Sequence, residues 1–382
     1  MRFRYRAGVA LVGCAALVVA AGLAGAGGAA NGHANYHAVC PGPPNDTARC
    51  HSEYSTDAHG NPDVTSSPNG LSPTTVKSAY GFPTSVTAGS GKTIAIVDAF
   101  DDPTAESDLG VFSSQYGLPA CTTKNGCFKK VDQKGGTGYP HKDAGWGLEI
   151  SLDIQWAHAI APGAKILLVE AGSASFSNLL AAEDYANAHA DYVSNSWGGN
   201  EFSGETAYDS HFMAGKAFVS SGDDGLPAEY PSSSPNVISV GGTTLNLNGD
   251  GTESSETGWS GSGGGCSAFE VKNSAQNTGS VTCGGKRATP DVSLDADPAS
   301  GVSVYDSTSY QGRTGWWRVG GTSASAPMWA ARAAVSGTVV NAAAVYGNTI
   351  TYRDVTSGNN GAPAGPGYDL VTGRGSWTGA TP

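Results

Sequence analysis

The stretch "KTIAIVDAFDDPTAESDLGVFSSQYG", residues 92–117, decides the fold. Its first part, "KTIAIVDAF", is a short apolar run rich in β-branched residues and predicts a strand. Its second part, "DPTAESDLGVFSSQYG", carries helical spacing. The same alternation continues outward from it. A helix is predicted near 145–160, "AKILLVEA" (164–171) as a strand, "FSNLLAAEDYANAHA" (176–190) as a helix, and "DYVSNSW" (191–197), "KAFVSSG" (216–222) and "NVISVGG" (236–242) as further strands. Apolar strands alternating with helices imply an α/β protein with a mostly parallel sheet covered on both faces. Ligands of such sheets bind beyond the carboxyl ends of the strands. No repeat array is present.

Composition sets the class. The chain has 382 residues, 39% of them hydrophobic, enough for a sizeable core. Fifty-five glycines and only 14% charged residues suggest a loop-rich surface. A net charge of −12 argues against nucleic acid, which needs Lys and Arg to displace phosphate counterions. It suits a protein working in acid, where many carboxylates are protonated. Residues 1–30 begin with three arginines, continue apolar and end in small residues, as a secretory signal peptide does, with cleavage expected near Ala26 to Ala30. "LVGC" (11–14) faintly resembles a lipoprotein box, but the apolar region runs on past Cys14. No later stretch is long enough to span a bilayer, so we expect a secreted, extracellular protein without stable membrane association, and a monomer.

Beyond the signal lie six cysteines, close in pairs. Local disulfides 40–50, 121–127 and 266–283 are the economical pairing in an oxidising compartment, and other connectivities stay open. Zinc is the rival, and the missing Cys-x-x-Cys spacing counts against it. Residues 31–70 are rich in Pro, Asn, Asp, Ser and Gly without a helical or strand period, which predicts a polar linker or short pro-segment. The main domain is placed at 71–382.

Three segments could carry chemistry. In "GWGLEISLDIQWAHAIAPGAKI" (145–166), Glu149 and Asp153 stand four apart on one helix face among apolar neighbours, an arrangement that raises carboxyl pKa values and favours a shared proton. Spacing alone also allows two solvated helix-face acids. In "AFVSSGDDGLPAEYP" (217–231), a strand runs into a turn that puts Asp223 at the strand's carboxyl end, where an ordinary Asx or Gly turn is the alternative. In "RVGGTSASAPMWAARAAV" (318–335), Ser323 stands at a helix entrance with Pro327 expected in the first turn. It could cap that helix or act as a nucleophile. A nucleophile needs a base, usually histidine, but no histidine lies in the His-Gly-Thr-His segment of a subtilisin-like protease. His158, one turn beyond Asp153, is the sole tempting substitute, and a packed helix-end histidine is its other reading.

With no histidine segment, the paired carboxyls become the candidate base, and the chain resembles the sedolisin family of serine-carboxyl peptidases. The matching segments are "GLSPTTVKSAYG", "IAIVDAFDDP", "LEISLDIQWAHAIAPGAKI", "SNSWGG", "SSGDDG", "YPSSSPNVISVGGT" and "GGTSASAP", in family order from about residue 71 onward. The resemblance implies a subtilisin-like three-layer fold and endopeptidase activity on protein or peptide substrates. It makes Ser323 the nucleophile, Glu149 its base, Asp153 the partner orienting Glu149, and Asp223 the group serving the oxyanion. Asp223 can donate to an oxyanion only while protonated and Glu149 must be ionised to act as a base, so activity is expected in acid.

The tail "YRDVTSGNNGAPAGPGYDLVTG" (352–373) offers hard oxygen ligands in Asp354 and Asp369, with glycines that can turn carbonyls inward. Its spacing is not that of an EF-hand, and a Gly/Asn-rich loop is the alternative. The resemblance implies one structural Ca²⁺ held by Asp354, the carbonyls of Val355, Gly365 and Gly367, and Asp369. "SNSWGG" (194–199) and "SVGGT" (239–243) are expected to wall a substrate cleft or to pack internally, and Trp259, Trp316 and Trp317 to pack in core or cleft. The family's large N-terminal prodomain has only the forty residues 31–70 in its place here, which leaves the activation route open. Two rival readings are a Ser-His-Asp protease of neutral pH using His158, and a catalytically silent, Ca²⁺-stabilised extracellular binding protein.

Overall fold

Helix α1 (Pro73–Tyr80) shows how locally the chain dictates its elements: the Ser72 hydroxyl accepts from Thr75 N–H, Pro73 opens the first turn, and Gly81 closes it at φ 66°. In the computed structural model, residues 35–42, 47–277, 281–337, 339–347 and 349–379 are described, with Met1. The stretch expected to be a signal peptide, its expected cleavage region and Cys14 lie outside them. Residues 34–382 form one unit, which holds every element of the fold.

Four short strands precede α1: β1 (Tyr36–Ala38), β2 (Arg49–Cys50), β3 (Glu53–Ser55) and β4 (Val64–Thr65). Then come β5 (Thr93–Ala99), α2 (Ala105–Tyr116), β6 (Phe128–Asp132), α3 (Ala144–Ile160), β7 (Lys165–Ala171), α4 (Phe176–His189), β8 (Tyr192–Asn195), β9 (Trp197–Asn200), β10 (Ala217–Ser220), β11 (Glu229–Tyr230) and β12 (Ile238–Leu247). The last third holds β13 (Glu253–Gly258), β14 (Gly265–Val271), β15 (Lys286–Thr289), β16 (Val292–Asp295), β17 (Val302–Tyr310), β18 (Arg313–Gly320), α5 (Thr322–Ser336), α6 (Ala342–Tyr346), β19 (Tyr352–Arg353) and β20 (Ser376–Trp377).

The central sheet runs β19-β20-β16-β12-β10-β8-β5-β7-β6, with β13 paired to β12. Every neighbouring pair from β20 to β6 is parallel. Helices α3 and α5 pack on each other over strands of this sheet, and α4 packs on β5, β7 and β8. This is the expected α/β architecture, and its apolar strand runs are buried as parallel strands require.

Helix α3 is buried from Gly145 to Ile160 and therefore apolar on nearly every side, with Asp143 capping it through Gly145 and Trp146 N–H. Glu149 and Asp153 are thus core residues, and the solvated-face alternative does not hold. All three disulfides form as paired by proximity, 40–50, 121–127 and 266–283. The zinc alternative loses its ligands with them: Cys121 and Cys127 stand close to His158, but their sulfurs are bonded to each other.

The stretch expected to be a polar linker or short pro-segment carries strands that its composition did not announce. From Tyr36 to Thr65 it contributes four strands: β1 pairs with β3, β3 and β4 pair with β18, and β2 pairs with β9. Polar, turn-rich composition misled because its ordering comes from backbone pairing with distant strands and from the Cys40–Cys50 bridge, not from a periodic apolar face. Among the described residues, no helix is long and apolar enough to cross a membrane.

Candidate active site

Helix α5 begins at Thr322 after Gly321, whose φ of 88° and ψ of 161° bend the chain from β18 into the helix. Glycine is required there, because a Cβ would stand 2.1 Å from the His51 carbonyl oxygen and 2.7 Å from Asp223 Oδ2. Ser323 is therefore the second helical residue and not the cap, and its fully buried hydroxyl donates to the Ser196 carbonyl at 3.3 Å. Pro327 lies in the second turn, not the first as expected. Its missing N–H is the one that would have bonded the Ser323 carbonyl in a regular helix.

Asp223 follows β10 in the turn opened by Gly222. Its Oδ1 accepts from Thr322 N–H at 2.7 Å and from the Thr322 hydroxyl at 2.8 Å, while its buried Oδ2 has no partner. Burial raises its pKa to about 6, against the lowering pull of His51, Thr322 and Arg49. Below that pH, Oδ2 carries a proton available for donation.

Glu149 and Asp153 are joined by a third carboxyl, which was not among the expected site residues. Asp98, near the carboxyl end of β5, is fully buried, and all three carboxyl groups lack hydrogen bonds of standard geometry. Burial and the Asp98 charge hold Glu149 well above the usual carboxylate range, with Ser323 and Ser52 facing it as partially offsetting hydroxyl partners. Burial, then Asp98, then Glu149 do the same to Asp153, which Ser196 partly offsets. Burial pushes Asp98 itself up to about 8. Three like charges in a dry core cannot all ionise, so the cluster keeps protons that solvated acids would lose. An acid inside the strand run "IAIVDAF" was the available signal for Asp98.

The structure brings Ser323, Glu149, Asp153 and Asp223 to one place. It does not bring His158: buried, with its pKa lowered by burial, that ring bonds the Pro119 carbonyl at 2.9 Å beside the Cys121–Cys127 bridge. The histidine that does reach the site is His51, from the segment expected to be a polar linker or short pro-segment. Its Nδ1 lies 2.7 Å from Ser220 Oγ and its Nε2 lies 2.9 Å from Glu229 Oε2, so both ring nitrogens face partners other than Ser323. Burial would raise the pKa of Glu229, but His51 and Arg49 outweigh it and leave it lowered. Of the two expected cleft segments, "SNSWGG" carries β9 and pairs with β2. "SVGGT" packs internally, with Gly241 and Gly242 against Pro290, Ala296 and Trp259.

In the C-terminal loop, Asp354 Oδ2 accepts from Gly367 N–H and Asp369 Oδ2 from Gly365 N–H, both at 2.9 Å. Asp369 Oδ1 accepts from Val371 and Thr372 N–H. Both carboxylates are thereby tied to the loop whose carbonyls were expected as ligands, and this all-oxygen donor set fits a hard cation. Trp259, Trp316 and Trp317 are all buried packing residues.

A helix-entrance serine among buried carboxyls, on a mostly parallel sheet, defines a serine-peptidase class with a subtilisin-like fold. Residues 141–360 match the Subtilase family. Kumamolisin of Bacillus sp. (strain MN-32) is 31% identical over 360 residues, covering 81% of this chain and 62% of kumamolisin. Sedolisin of Pseudomonas sp. (strain 101) is 36% identical over 197 residues, covering 41% and 32%. The chain thus spans less than two thirds of the curated relatives it matches. Among solved structures, Pseudomonas sedolisin, a serine-carboxyl proteinase complexed with two molecules of pseudo-iodotyrostatin, superposes with a TM-score of 0.69 at 29% identity, covering 81% of this chain and 96% of that one. A psychrophilic protease at 17% identity and a TM-score of 0.52 shares the fold alone. The chain belongs to the subtilase family and, within it, to the sedolisin group of serine-carboxyl peptidases.

Proposed function

We propose that the protein is a secreted, acid-active endopeptidase that cleaves protein or peptide substrates through an acyl-enzyme on Ser323. The observation that carries this reading is the buried carboxyl cluster facing Ser323 opposite the unpartnered Oδ2 of Asp223. Glu149, sharing charge with Asp153 and Asp98, takes the Ser323 proton as the hydroxyl attacks a carbonyl carbon. Asp153 is the positioning partner. The Ser323 N–H and protonated Asp223 donate to the oxyanion. Glu149 then delivers the proton to the leaving amine, and water completes the cycle. Hydrolysis of a denatured protein from acid to neutral pH tests this, with Ser323→Ala alongside. Activity confined to acid and absent from the variant is expected; undiminished activity in Ser323→Ala overturns it.

The C-terminal loop supports a structural Ca²⁺, for which Asp354, Asp369 and the carbonyls of Val355, Gly365 and Gly367 are the donors. When bound, the ion would neutralise two carboxylates and brace the loop; it takes no part in proton transfer. A monomer acting alone is sufficient, since all of these groups come from one chain.

A further inference from the structure

In the last turn of α3, well past Glu149 and Asp153, three groups with metal-binding chemistry meet. His158 comes from the helix, and Cys121 and Cys127 from the loop between α2 and β6. Both sulfurs and one ring nitrogen of His158 all lie within 4.8 Å of one another. The ring is poised to give a lone pair. Its Nε2 lies 2.9 Å from the Pro119 carbonyl oxygen, which can only accept, so Nε2 carries the hydrogen. Its Nδ1 is buried without a hydrogen-bond partner and is the nitrogen left unprotonated in the neutral ring. Histidines that bind metals are held in this way, one nitrogen donating to a carbonyl and the other free for the ion.

The Cys121–Cys127 bridge is not the only thing that keeps the two cysteines together. Asn125, inside the turn they close, accepts from Thr122 N–H at 3.1 Å and from Cys127 N–H at 3.0 Å, and its Nδ2 donates to the Ala120 carbonyl at 2.7 Å. The Phe128 N–H reaches back to the Thr122 carbonyl at 3.2 Å. Two further bonds fasten the turn to the body of the protein. Thr123 N–H donates to Glu106 of α2 at 2.9 Å, and Ile166 N–H at the start of β7 donates to the Cys127 carbonyl at 2.8 Å. With the sulfur–sulfur bond broken, these contacts leave both thiols beside His158. Cys121 is fully buried but Cys127 is only partly covered, so a small reductant reaches the bridge from the Cys127 side.

We propose that reduction of the Cys121–Cys127 bridge turns this corner into a site for Zn²⁺, held by the two thiolates and His158 Nδ1. A dithiol gives the bridge two electrons and two protons and is itself oxidised to a disulfide, leaving two cysteine thiols. The incoming divalent ion displaces both thiol protons, so two thiolates and a neutral imidazole balance its charge. Sulfur and imidazole donors select a borderline-soft ion over Ca²⁺ or Mg²⁺, whose ligands are oxygens. The Ala164 carbonyl oxygen, 3.5 Å from Cys127 Sγ, and water entering beside the exposed turn are at hand for the fourth position of a tetrahedral ion. The same loop is thus fastened in two ways. In an oxidising compartment the bridge closes it, and where thiols prevail the ion closes it and ties it to α3. The site is separate from Ser323 and does not depend on the peptidase reading.

The test reduces the purified full chain with a phosphine, which does not compete for the metal as a dithiol would, and titrates it with Co²⁺ without oxygen at about pH 7.5, where thiol protons are readily displaced. The absorption spectrum and circular dichroism are recorded together. The expected result is one Co²⁺ per chain with a thiolate-to-cobalt charge-transfer band, absent from the oxidised protein and bleached by an equal amount of Zn²⁺. The band should vanish in Cys121→Ser/Cys127→Ser, which keeps the other cysteines. His158→Gln, which leaves the bridge and its loop in place, should weaken Co²⁺ binding at least about 10²-fold, since loss of even an outer partner costs about 10- to 100-fold. A reduced, folded protein without the band overturns the proposal. So does a band that survives in the double cysteine variant, or unweakened binding in His158→Gln. Loss of the circular dichroism signal on reduction also overturns it, because the loop is then not held by the fold.

Discussion

Asp223 and Glu149 stand in similar burial yet are asked for opposite protonation states, and that contrast makes the site testable one side chain at a time. Ser323→Ala and Glu149→Gln should each lower kcat by at least about 10³-fold with an unchanged circular dichroism melt at about pH 4, where raised carboxyls still hold their protons, since each keeps the shape of its pocket. Asp223→Asn separates protonation from donation: an amide N–H donates at any pH. The wild-type decline in kcat/KM as Asp223 ionises near pH 6 should flatten in Asp223→Asn, read from its pH profile. An unchanged decline would assign it to another group.

At the scale of elements, helix α3 carries both paired acids, and the C-terminal loop carries the proposed cation site. Chelation should lower the melting temperature by a few degrees, as expected when a ligand specific to the folded state is withdrawn. Asp369→Ala should abolish the response and cost stability on its own, because Asp369 accepts loop N–H groups from Gly365, Val371 and Thr372. Scanning fluorimetry with and without added Ca²⁺ decides it. Much of the architecture was legible in the sequence. The strand-helix alternation marked the central sheet, and the spacing of Glu149 and Asp153 marked one helix face. Asp98 escaped because a single acid in an apolar strand run draws no attention until its neighbours are known. His51 escaped because the order of its segment comes from pairing with β9 and β18, partners about 150 and 270 residues away that no local period announces.

For the whole molecule, buried acids set the pH at which the fold is secure. Burial is the leading cause in each case: Asp98, Glu183 and Asp306 rise to about 8, and Glu53 and Glu170 to about 9. A carboxyl whose pKa is higher folded than unfolded keeps a proton that the unfolded chain gives up. Its stabilisation is full below the ordinary carboxyl pKa and is lost as pH climbs through the folded value. The melting temperature should therefore be highest near pH 4 and fall steadily toward pH 8 to 9, each such group contributing up to about 1.4 kcal/mol per pH unit. A melt that rises toward neutrality would contradict this.

The pairing of β3 with β18 also bears on how the chain comes to be folded. Tyr54 waits for Val319, so an arm made early finds its strand partner only when most of the chain exists. Closing so long a loop is slow, and parallel strands joined by crossovers add further delay. Refolding monitored by stopped-flow fluorescence should therefore show the arm docking after the central sheet has assembled. The serine would then stay uncovered during synthesis and be filled by its own chain in the last act of folding.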